Sequence, residues 1–67
     1  MIDIVVNDKS YQFEKKLSIK ELLDGLAYKD RMFVVALNGE FISINDYERT
    51  KVVDGDSVEI LEPMSGG

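Results

Sequence analysis

From Met1 to Val6 the chain alternates: Ile2, Ile4 and Val6 fall on one side of an extended backbone, and Met1, Asp3 and Val5 fall on the other. A period of two in β-branched residues predicts a strand with one buried face. Asn7-Asp8-Lys9 carries turn chemistry. Tyr11 and Phe13 then alternate with Gln12 and Glu14, so a second strand returns and closes a hairpin.

The period changes after Lys15-Lys16-Leu17. Ser18-Ile19-Lys20-Glu21 has the spacing of a capping box: the Ser18 hydroxyl accepts from the Glu21 amide, and the Glu21 side chain reaches back. Ile19, Leu22, Leu23 and Leu26 then recur at i, i+3, i+4 and i+7, which is one apolar stripe on a helix. Gly25 inside that stripe weakens it by up to about 1 kcal/mol against alanine and gives room for a close approach to the sheet. The pattern predicts a helix running to Ala27 or Tyr28.

Phe33-Val34-Val35-Ala36-Leu37 is a dense β-forming run that stops at Asn38-Gly39, a strong hairpin signal, and Glu40-Phe41-Ile42 returns. Ser43 to Arg49 is polar around Ile44 and Tyr47, and reads as a helical turn or a loop. Thr50-Lys51-Val52 is at most a short strand. Asp54-Gly55-Asp56 is a tight turn, and Val58-Glu59-Ile60-Leu61 forms the last strand. The order is hairpin, helix, hairpin, short crossover, strand. Four or five strands in a mixed sheet with one helix across a face make a two-layer α+β domain, its last strand lying centrally beside the first. Residues 1–62 form that domain and 63–67 a flexible tail.

Composition narrows the chemistry. The chain has 67 residues, 45% of them apolar and 31% charged, enough for one small ordered domain. It has no histidine and no cysteine. The usual general base near neutral pH, a thiol nucleophile, a disulfide and a thiolate metal site are therefore all missing. No Asp-x-Asp-x-Asp-Gly loop or glycine-rich phosphate loop occurs. The chain reads as no enzyme, with no metal and no cofactor of its own. A net charge of −5 opposes nucleic-acid binding; it suits partners with basic docking surfaces or serves solubility alone. No apolar run has the length of a membrane span, and no signal-peptide pattern follows Met1. A cytoplasmic protein, monomeric when free and not bound to membranes, is expected.

One stretch remains unexplained by folding. Pro63-Met64-Ser65-Gly66-Gly67 closes the sequence, and neither glycine has a Cβ, so the backbone passes through narrow channels and adopts dihedrals closed to other residues. The Gly67 carboxylate stands at the tip of a leash with almost no bulk around it. An enzyme that activates a protein C-terminus in a buried pocket needs that shape. Two plainer readings of these residues are a frayed tail and a cloning remnant; the order in the rest of the chain argues against both.

Val35-Ala36-Leu37-Asn38-Gly39-Glu40, Ser43 with Tyr47 and Thr50, Asp54-Gly55-Asp56-Ser57-Val58-Glu59-Ile60 and the terminal Gly66-Gly67 together resemble the ThiS family, the small ubiquitin-like β-grasp sulfur carriers of thiamin biosynthesis. The resemblance spans essentially the whole chain. It implies the β-grasp fold. It also implies that an adenylating enzyme of the ubiquitin-activating type uses ATP to activate the Gly67 carboxylate, which a sulfur donor protein then supplies with sulfur. The thiocarboxylate so formed would serve a thiazole synthase, with Gly66 and Ser65 threading the approach. Pro63-Met64-Ser65 before the glycines is also similar to the endings of molybdopterin-synthase small subunits, which share the tail chemistry but are usually longer. A third branch conjugates its terminus to lysines as a protein modifier.

A docking surface follows from the two-layer arrangement. The helix covers one sheet face, and alternation puts Val5 and Leu61 on the other, with Met64 just beyond and Val34 or Ala36 beside them. A contiguous apolar patch there would suit a partner. Apolar residues scattered singly over a surface are the ordinary alternative.

Overall fold

The computed structural model describes residues 1–26, 28 and 33–61. Strand β1 (Ile2–Val6) turns back into β2 (Lys9–Phe13) through Asn7 and Asp8, both with positive φ, 49° and 69°. A two-residue turn with φ > 0 at both positions twists as the strands do, and asparagine and aspartate tolerate that region better than other side chains. The register pairs Val6 with Lys9 and Ile2 with Phe13. The same device joins β4 (Val34–Leu37) to β5 (Glu40–Ile42), where Asn38 and Gly39 have φ of 52° and 88°.

Helix α1 (Ile19–Gly25) starts as its capping box predicts. The Glu21 amide donates to Ser18 Oγ at 3.0 Å, and the Ser18 amide donates to Glu21 Oε1 at 2.8 Å. Its end differs from the expectation. The helix stops at Gly25 with Leu26 as the cap, short of Ala27 or Tyr28, because Leu26 leaves helical geometry at ψ 7° and Tyr28 N–H folds back to Leu23 C=O at 2.9 Å. Leu26 continues the apolar stripe in space without continuing the helix. Nor does Gly25 mediate a close approach: a Cβ built there would meet nothing within 4 Å. Ala27 lies outside the described residues.

One short strand, β3 (Leu17–Ser18), had no counterpart in the sequence pattern. It pairs antiparallel with β6 (Lys51–Val52), the short strand expected within Thr50-Lys51-Val52. Ser18 thus serves as strand residue and helix cap together. The polar stretch after β5 contains a single 3-10 turn, Ile44–Asp46, capped by the Ser43 hydroxyl.

The main sheet has five strands in the order β2-β1-β7-β4-β5, with β7 (Ser57–Leu61) at its centre. β7 runs parallel to β1 and antiparallel to β4. Ile4, Val6, Val35, Val58 and Ile60 point from the sheet into a core completed by Ile19, Leu22, Leu23, Tyr47 and Val52. Each aliphatic side chain buried there contributes about 1.5–3 kcal/mol relative to exposure. Phe33 stacks on Tyr47 with centroids 6.4 Å apart and meets Tyr28 edge-on at 5.8 Å. Burial without ionic partners pushes the Tyr47 phenol above its ordinary pKa, as fits a packing residue.

Candidate functional site

The segment that carries the sequence-predicted chemistry leaves from the end of β7. Met64, Ser65, Gly66 and Gly67, with Glu62 and Pro63, lie outside the described residues; the structure describes the platform up to Leu61. That platform is built from three elements.

On one side, β4 pairs with the last residues of β7: Val35 opposes Ile60 and Val34 opposes Leu61. On the other side β1 runs out too early. The Asn7 amide donates to Val58 C=O at 3.0 Å, after which the backbone turns away into the hairpin. The Asn7 side chain takes over the ladder. Its Oδ1 accepts from Ile60 N–H at 2.8 Å and its Nδ2 donates to Ile60 C=O at 3.2 Å. One carboxamide thereby stands in for a strand residue and pairs both backbone polar groups of Ile60, bonds that are part-buried and contribute about 0.5–1.5 kcal/mol net each.

The far end of β7 is held by a matching arrangement. Asn38 Oδ1 accepts from Ser57 N–H at 2.9 Å, its Nδ2 donates to Asp56 Oδ1 at 3.0 Å, and its own amide donates to Ser57 C=O at 2.7 Å. Asp56 Oδ2 accepts from Val53 N–H at 2.8 Å. Asp54 Oδ1 accepts from Asp3 N–H at 2.7 Å, while Gly55 N–H donates to Asp3 C=O at 2.8 Å. The carboxylates of the Asp54-Gly55-Asp56 turn are therefore occupied by backbone amides.

The sheet face away from the helix carries Asp3 and Val5 from β1, Ser57, Glu59 and Leu61 from β7, Val34 and Ala36 from β4, and Phe41 from β5. Leu61 is 50% exposed, Val34 42% and Phe41 71%, whereas Ala36 is covered between Glu59 and Phe41, its partners on either strand. Leu61, Val34 and Phe41 thus adjoin through direct and diagonal cross-strand contacts. Val5 shares the face but not the cluster. Its partner on β7 is Ser57, four residues before Leu61, a separation of ~13 Å along a strand. Phe41 went unnoticed in the sequence, although the two-residue turn at Asn38-Gly39 supplies the signal: counting back across it puts Phe41 opposite Ala36, hence on the open face. Among the described residues, this face holds acidic side chains and no lysine or arginine.

Catalytic features are sparse. Among the described residues, no group of three or more carboxylates converges as a metal site, and no helix is long and apolar enough to cross a membrane. Apart from Tyr47, the shifted titration among them belongs to Glu21, whose carboxyl is held below its ordinary value chiefly by the Ser18 amide. That shift comes from helix capping. A shallow cleft of about 170 Å³ lies between Val6, Asn7, Tyr11, Leu26 and Tyr28, with Lys9 at its rim.

Comparison with known proteins bears on the whole chain. The model of the ThiS family matches residues 4–67. The crystal structure of a thiamine biosynthesis protein (ThiS) from Geobacter metallireducens superposes with a TM-score of 0.86 at 35% identity, covering 98% of this chain and 100% of that one. An NMR solution structure of a thiamine biosynthesis protein from the same organism gives a TM-score of 0.80 at 35% identity, with 98% and 88% covered. No curated protein matches the chain.

Proposed function

This chain belongs to the ThiS family, and from that membership we propose that it is a sulfur carrier of thiamin biosynthesis acting through the carboxylate of Gly67. The observation that carries the reading is the match over residues 4–67, which takes in the glycine tail as well as the β-grasp body.

A carboxylate is inert toward sulfur nucleophiles because oxide is a poor leaving group. Adenylation changes this. A Gly67 oxygen attacks the α-phosphorus of ATP, pyrophosphate departs, and the resulting acyl-adenylate loses AMP when sulfur attacks its carbonyl carbon. The phosphate charge developing in the first step must be met by cations or aligned backbone dipoles. With a net charge of −5 and no histidine, this chain is poorly equipped to supply them. It acts as a recycled co-substrate, and an adenylating partner of the ubiquitin-activating type contributes the nucleotide site. A sulfur donor protein and a thiazole synthase complete the cycle. Gly66 and Ser65 thread the partner's channel.

The body orients this end. β7 is held by Asn7 at Ile60 and by β4 up to Leu61, so the tail is anchored at a fixed point. Leu61, Val34 and Phe41 beside that point form the docking patch, with Met64 adding to it; Val5 contributes farther along the same face. The acidic residues around the patch favour a partner with a basic rim. The test is ATP–pyrophosphate exchange by the adenylating enzyme encoded in the same genome. Exchange is expected with the intact chain and lost on deletion of Gly67, with the melting temperature unchanged. Full exchange by the truncated chain overturns the proposal.

A further inference from the structure

Asparagine occurs at positions 7, 38 and 45, followed by Asp8, Gly39 and Asp46. The sequence Asn-Gly is chemically fragile because glycine places no side chain in the way of its own nitrogen. That nitrogen attacks the asparagine Cγ, forming an N–Cγ bond and closing a five-membered succinimide. The Cγ–Nδ2 bond breaks, and Nδ2 departs as ammonia with the proton that Gly39 N gives up. Water then opens the ring at either carbonyl, leaving aspartate or isoaspartate. No oxidant or reductant is needed.

In the folded chain this ring closure is opposed. Both atoms of the Asn38 carboxamide are engaged, Oδ1 by Ser57 N–H at 2.9 Å and Nδ2 by Asp56 Oδ1 at 3.0 Å. The backbone is tied to Ser57 C=O at 2.7 Å. Swinging Cγ onto Gly39 N breaks both side-chain bonds. We propose that Asn38 is a deamidation site guarded by its own clamp, converting when the β4–β5 turn opens and then preventing the head of β7 from closing as before.

The products explain the second half. An aspartate at 38 still accepts from Ser57 N–H, but a carboxylate now faces the Asp56 carboxylate where a donor stood. An isoaspartate adds a backbone carbon to a two-residue turn whose register sets Leu37 against Glu40. Asn7 provides the internal control. It has nearly the same φ and a bidentate clamp of its own, but its successor carries a side chain that crowds the attacking nitrogen.

The experiment incubates the full chain at mildly alkaline pH, folded and in guanidinium chloride, and maps amide-to-acid conversion by peptide mass. Asn38 is expected to convert first in both conditions, slower in the folded chain by roughly tenfold or more, as local opening requires. Gly39→Ala should suppress conversion in guanidinium, where its effect on the folded turn is irrelevant. The converted protein, once isolated, should melt below the parent, as should Asn38→Asp. Conversion of Asn7 or Asn45 as fast as Asn38 in guanidinium overturns the proposal. So do equal rates in the folded and unfolded chain, or a converted protein that melts like the parent.

Discussion

At its head β7 is boxed in by the Asp54-Gly55-Asp56 turn, by Asn38 and by β1; at its end it is held by β4 and by a single carboxamide, Asn7. Both ends use an asparagine with positive φ at a hairpin tip to extend a ladder that the backbone has abandoned. The surroundings differ. Around the head, carboxylates are consumed by backbone amides and the polar groups close on one another. Beside the end, Leu61, Val34 and Phe41 stand exposed. One end of the strand is finished within the molecule, and the other leaves apolar side chains open.

The largest effect should come from cutting into the core where β7 ends. Ile60 is 5% exposed and packs with Val35 and Ile4 in the core cluster, so Ile60→Ala should cost about 2–5 kcal/mol in chemical denaturation. A loss below about 1 kcal/mol would mean that the end of the strand is loosely packed.

Replacing either asparagine by glycine preserves the positive φ and removes only the clamp. Asn7→Gly and Asn38→Gly should each cost about 1–2 kcal/mol, the worth of two hydrogen bonds. Hydrogen exchange separates them: Ile60 N–H should exchange faster only in Asn7→Gly, and Ser57 N–H only in Asn38→Gly. Faster exchange at both amides in either variant would make β7 one cooperative unit and abolish the distinction between its ends.

Away from both ends, the helix start provides a pH-dependent reference. The Glu21 carboxyl titrates below its ordinary value when folded, so its contribution is fully present above the unfolded-state pKa and is lost as pH falls through the folded one. Glu21→Gln should therefore lower the melting temperature at neutral pH, with the gap to the parent closing as acid is added. A gap independent of pH would assign the helix start to hydrogen bonding without charge.

The smallest change in stability belongs to the open face. Leu61→Glu should alter unfolding free energy by less than about 1 kcal/mol while weakening capture by the adenylating partner. Unchanged affinity would remove Leu61 from the docking patch.

Much of this architecture is legible in the residues. Alternation marks β1 and β7, Asn38-Gly39 marks a hairpin, and Ser18 with Glu21 marks the helix start. The pairing of β3 with β6 is not legible, since two-residue strands have no period to detect. The helix end is misread because Leu26 satisfies the stripe from a non-helical backbone. The two asparagine clamps escape for a different reason. Each residue is already accounted for as a turn former, and the backbone amides it satisfies lie 53 and 19 positions away in the chain. The open-face cluster depends on register: alternation assigns Val5 and Leu61 to one face, but only strand pairing separates them and sets Val34 between Leu61 and Phe41.

The central claim is that Gly67 carries sulfur, and intact-mass measurement of the chain purified from its own cells addresses it directly. The account predicts a population in which one terminal oxygen is replaced by sulfur, localised to the C-terminal peptide and missing from a chain lacking Gly67. Finding the terminus joined instead to lysines of other proteins, or a normal population of thiolated chains after Gly67 is deleted, would contradict it.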